Sequence, residues 1–77
     1  MNMVQYKKLK VGDRVQNLIP VASYYHGEIA KAVWTIERLN CPSVRRDRVT
    51  FAMVRMVENP RVQASLISDG LKVWGFA

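Results

Sequence analysis

The residues with the clearest chemical potential are arginines. Arg45, Arg46 and Arg48 fall within four positions, and Arg55 follows one short stretch later. A guanidinium group is a planar, permanently charged fork that matches a phosphate or the O6/N7 edge of guanine, so closely spaced arginines point to nucleic-acid recognition. Thr50 lies between them, and Lys7, Lys8 and Lys72 add charge elsewhere. These eight are the candidate nucleic-acid-binding residues. The groups that catalysis needs do not converge in the same way. His26 is the only histidine and Cys41 the only cysteine, and the six carboxylates (Asp13, Glu28, Glu37, Asp47, Glu58, Asp69) are scattered. There is no metal-ligand spacing, no glycine-rich phosphate loop and no nucleophile motif. The sequence therefore predicts a binding protein rather than an enzyme, with no metal and no cofactor.

The charge balance agrees. Twelve Lys and Arg stand against six Asp and Glu in 77 residues, a formal charge of +6. Residues 1–14 carry four basic and one acidic group and residues 43–61 carry five and two, so each stretch contributes +3 and the remainder is neutral. Patches of this kind meet phosphate. At 49% hydrophobic and 23% charged, the chain reads as one globular domain with a small core, which a dimer partner would help to complete. A lone cysteine excludes an internal disulfide and suits a reducing cytoplasm, and the opening MNMVQYKKLK has no signal-peptide run.

The elements that must position the arginines are read from periodicity. In SVRRDRVTFAMVRMVEN (Ser43–Asn59), Val49, Ala52, Met53, Met56 and Val57 form a helical stripe. Ser43 serves as N-cap and Asn59-Pro60 as stop, which predicts an amphipathic helix with arginines on its outer side. A strand there would put Arg55 on a face with Phe51 and Met53. Glu28–Asn40 predicts a second helix, with Ile29, Ala32, Val33, Ile36 and Leu39 inward and Trp34 on the flank. After Pro60 the period falls to two, and Asp69-Gly70 between alternating runs predicts a C-terminal β-hairpin with a type I′ turn in which Leu66 faces Val73. Residues 1–12 read as a basic arm or edge strand and 13–77 as a single domain; Tyr24 and Tyr25 read as wedges between elements.

Helix, turn, arginine-bearing helix and hairpin, in the pattern TIERLNCPSVRRDRVTFAMVRMVENPRV, resembles the winged helix–turn–helix superfamily. That resemblance implies an α+β fold and a duplex-DNA-binding regulator or accessory factor. Its second helix would enter the major groove and its hairpin wing would lie on the backbone. A second resemblance is to small SH3-like β-barrels, carried by LKVGDRV followed by HGEI. One such family, the type II dihydrofolate reductases, has a Val-Gln-Ile-Tyr motif where this chain reads Val62-Gln63-Ala64-Ser65, without its Ile and Tyr. The barrel requires 28–40 to be extended. A further alternative is a protein-interaction module, an inhibitor or adaptor, docking through Ile67, Trp74 and Phe76 with Trp34 as an additional anchor.

Overall fold

A computed structural model of the chain describes residues 1–19, 21–23, 27–29 and 31–77, with 21–23 and 27–29 as backbone only. Tyr24, Tyr25 and His26 lie outside the described residues. The N-terminal segment is a short helix, α1 (Met3–Lys7), rather than a strand. Asn2 caps it: its side chain accepts from the Gln5 N–H, and the Gln5 side chain accepts from the Asn2 N–H, at 2.8 and 2.9 Å. Strands follow at β1 (Arg14–Asn17), β2 (Val21–Ser23), β3 (Gly27–Ile29), β4 (Val33–Pro42), β5 (Thr50–Met56), β6 (Gln63–Ile67) and β7 (Trp74–Phe76). A 3₁₀ turn, Leu71–Val73, precedes β7. Five strands form one antiparallel sheet in the order β6-β5-β4-β1-β7, and β2 and β3 pair separately.

This is a mostly β architecture, and it overturns the α+β winged-helix expectation. Neither predicted helix forms: Val33–Pro42 and Thr50–Met56 are extended instead. In β5 the residues Ala52, Val54 and Met56 are buried and alternate with half-buried Phe51, Met53 and Arg55. The outer face is itself largely apolar, which disguised a period of two as a helical stripe. Arg55 does share a face with Phe51 and Met53, the arrangement that had counted against a strand. It is accommodated there because Glu37, on neighbouring β4, meets it with a carboxylate. In β4, Trp34 and Ile36 are buried between Val33, Thr35 and Glu37; β-branched and aromatic side chains outweigh the two nearby alanines. Extended backbone at Gly27–Ile29 and Val33–Pro42 is what the small-barrel resemblance requires of this region.

The C-terminal hairpin is also absent. β6 pairs with β5 through Ala52↔Leu66 and Val54↔Ala64, whereas β7 pairs with β1 at the opposite edge through Gln16↔Gly75. A type I′ turn needs positive φ at both central residues, and Gly70 has φ −126°. The Gly70 N–H instead donates to Ile67 O at 2.9 Å, turning the chain into the 3₁₀ segment that carries it across to β7.

The register of β4 on β5 slips twice: Ile36 faces Val54, Arg38 faces Met53 and Cys41 faces Phe51. Each slip leaves β4 with an extra residue, a bulge that bends the strand. Asn40, at the second, takes left-handed backbone (φ 54°), which asparagine tolerates better than most residues. The core gathers on the inner face. Val15, Ile36, Ala52, Val54 and Leu66 are almost fully enclosed, Tyr6 and Leu9 close over them, and Trp34 meets Trp74 edge-to-face with centroids 6.1 Å apart.

Candidate nucleic-acid interface

The arginine cluster lies on the connection from β4 to β5, residues 43–49. A backbone bond from the Ser43 N–H to Val49 O (3.0 Å) closes this loop at its base, and the Ser43 hydroxyl accepts from the Arg45 N–H at 3.3 Å. Arg45, Arg46 and Arg48 are all exposed. Arg46 forms an ion pair with Asp69 that ties the loop to the turn after β6. Arg45 and Arg48 form no ion pair among the described residues. Arg48 has φ 64°, in the left-handed region that glycine or asparagine occupies most cheaply.

Beside the loop, on the outer face of the sheet, is a groove of about 260 Å³ lined by Val44, Arg45, Phe51, Ser65 and Ile67 among others. The register explains the grouping. Phe51 faces Ile67 across β5 and β6 and Cys41 across β4, and the next row is Arg38–Met53–Ser65. An apolar floor thus lies beside the cationic Arg45 on the rim. Phe51 and Ser65 were missed as site residues because their common face exists only when 50–56 is a strand.

The remaining expected contacts divide. Thr50 is not a groove residue: its hydroxyl is 2.9 Å from the Tyr6 hydroxyl, and its N–H donates to the Ser68 hydroxyl at 3.2 Å. That contact holds α1, with exposed Lys7 and Lys8 at its end, beside the start of β5. Lys72 is exposed on the 3₁₀ turn. Arg55 is committed within the fold, donating to Glu37 and to the Pro60 carbonyl. Gln63 donates to the same carboxylate at 3.3 Å. The hairpin docking face does not assemble. Trp74 and Trp34 are 7% and 4% exposed, while Ile67 and Phe76 are exposed at opposite edges of the sheet.

The guanidinium of Arg55 and, to a lesser degree, the Gln63 amide hold the Glu37 carboxyl below the usual carboxylate range, against the opposing effect of desolvation. A carboxylate whose folded-state value is depressed stabilises the fold above its unfolded value and loses that contribution as pH falls through the folded one. Stability should therefore decline on acidification below about pH 4.5, the ordinary value for this group. Glu37→Gln should flatten that part of a thermal-melt-against-pH profile. An unchanged acid limb in the variant would show that the triad contributes nothing to it.

Among the described residues no three His, Cys, Asp or Glu side chains gather as a metal site, and no helix is long and apolar enough to cross a membrane. No family model matches the chain, and no curated protein or solved structure matches it.

Proposed function

We propose that this chain is a small intracellular nucleic-acid-binding protein that uses the 43–49 loop and the adjoining groove. The observation that carries the reading is Arg48, an arginine in left-handed backbone on an exposed, arginine-dense loop. Such a position costs about 1 kcal/mol for a residue with a Cβ, and strain of this kind concentrates where a side chain has work to do. Arg48 and Arg45 take phosphates; Phe51, on the groove floor, takes the face of an unpaired base. Electrostatic tracking of the backbone combined with a stacking surface is how single strands are held without sequence preference. Lys7, Lys8 and Lys72 extend the positive field, and the buried Cys41 thiol suits a reducing compartment. The arginines act from a loop and a sheet face, so major-groove insertion of a helix has no part in the mechanism.

Fluorescence anisotropy with labelled single-stranded and duplex oligonucleotides tests this. Single strands should bind more tightly, with affinity falling on a log–log salt plot by about 0.7 per phosphate contacted. Arg45→Ala and Arg48→Gly should each weaken binding and reduce that slope by about one contact's worth. Arg48→Gly should also keep or raise the melting temperature, since glycine relieves the backbone, so its lost affinity cannot be ascribed to unfolding. Tighter duplex binding would redirect the proposal to double strands. Equal binding by both variants and the parent would remove the loop from the interface.

A further inference from the structure

The β6 edge of the sheet is unprotected in a specific way. The Met56 N–H donates to Val62 O at 3.0 Å and the Ser68 N–H to Thr50 O at 2.9 Å, which marks the even-numbered residues of β6 as those bonded to β5. In an antiparallel ladder the alternate residues point the other way. The backbone groups of Gln63, Ser65 and Ile67 therefore face outward, and all three residues are exposed. Gly70 uses one lone pair of Ile67 O; the others have no partner among the described residues. Edge strands of this length usually carry a lysine, a proline or a bulge that discourages pairing. Gln63-Ala-Ser-Leu-Ile67 has none of these and no charge at all.

We infer that β6 is the seam of a two-fold homodimer, pairing antiparallel with β6 of a second copy about an axis through Ser65. This register is self-complementary. Ser65 meets Ser65 of the second copy, Gln63 meets its Ile67, and Ala64 meets its Leu66. The outward-facing groups of these residues then form six inter-chain backbone hydrogen bonds. The isologous arrangement suits a closed dimer. A chain of net charge +6 would otherwise repel its copy, and a strand without a charged side chain is where that repulsion is least. The two sheets become one ten-stranded sheet, with both grooves on the same outer face. The inference stands independently of the nucleic-acid reading.

Sedimentation equilibrium of the full chain without nucleic acid, over roughly 1–500 μM, covers the affinities of small interfaces. The parent should pass from one chain to two. Ser65→Pro removes an N–H that the single chain does not use, and proline is tolerated at such edge positions, so this variant should remain folded while dimerising at least about tenfold more weakly. Ser65→Cys should cross-link on oxidation, because opposite residues in a hydrogen-bonded pair are about 5.5 Å apart at Cα, within disulfide reach. Gln63→Cys should not, since its two copies would lie about 13 Å apart. A parent that stays monomeric throughout would overturn the inference. So would a dimer in which Gln63→Cys cross-links as readily as Ser65→Cys. Should Ser65→Pro fail to fold, the cysteine pair alone decides.

Discussion

Leu66→Ala is expected to destabilise the domain by about 3 kcal/mol or more, whereas Ile67→Ala, one residue along the same strand, should cost less than about 1 kcal/mol. Leu66 has no exposed surface and faces Ala52 from the inner side of β6, while Ile67 is 41% exposed on the outer side. The same logic separates two methionines. Met56 is buried, and its truncation to alanine should cost about 2–3 kcal/mol; Met53 is half-buried on the solvent face opposite Ser65 and should cost about 1 kcal/mol or less. A helical stripe through 49–57 assigns both methionines to the core, so the pair tests the strand directly. In a domain this small, each kcal/mol lowers the melting temperature by about 4–8 °C, so Leu66→Ala should lower it by about 12–24 °C. Equal melting temperatures for the Leu66 and Ile67 variants would refute the register of β6 on β5.

The contrast between Met53 and Met56 also shows what could be read from the sequence. The exposure of the arginines was legible, though the loop that carries them was not: Arg45, Arg46 and Arg48 are exposed, because charge density alone excludes them from a core of this size. The apolar residues were legible as apolar, but their period was not. In β5 both faces carry large apolar side chains, and the single charge, Arg55, is balanced by Glu37, 18 residues earlier in the chain and adjacent only after β4 and β5 pair. Local propensity cannot encode that pairing. Asp69-Gly70 misled for a related reason. The dipeptide favours a tight hairpin, but Leu71 is buried and Trp74 packs against Trp34, and these contacts draw the chain across to β1. Burial of two large side chains outweighs a turn preference worth far less. The tryptophans, read as surface anchors, are core residues because a 77-residue chain has few other side chains large enough to fill the interior.

Trp34 provides the second large effect. Its indole N–H donates to Asn17 Oδ1 at 2.6 Å, and both residues are buried. Trp34→Ala should cost about 3–5 kcal/mol through lost area and cavity formation. Trp34→Phe is more informative. It keeps most of the ring and the edge contact with Trp74 but removes the donor, leaving the Asn17 carbonyl oxygen buried without that partner. An orphaned buried acceptor costs about 1–3 kcal/mol, whereas replacing both partners with apolar groups restores much of the loss. Asn17→Leu added to Trp34→Phe should therefore be less harmful than the sum of the two single changes, with a coupling of about 1 kcal/mol or more in a double-mutant cycle from chemical denaturation. Strict additivity would mean that the bond contributes nothing and that Trp34 acts through volume alone. A measured coupling would place β1 beside β4 with the indole turned toward Asn17. That arrangement holds the inner face closed, and it leaves the opposite face, with Phe51 and the 43–49 loop, as the side available to a ligand.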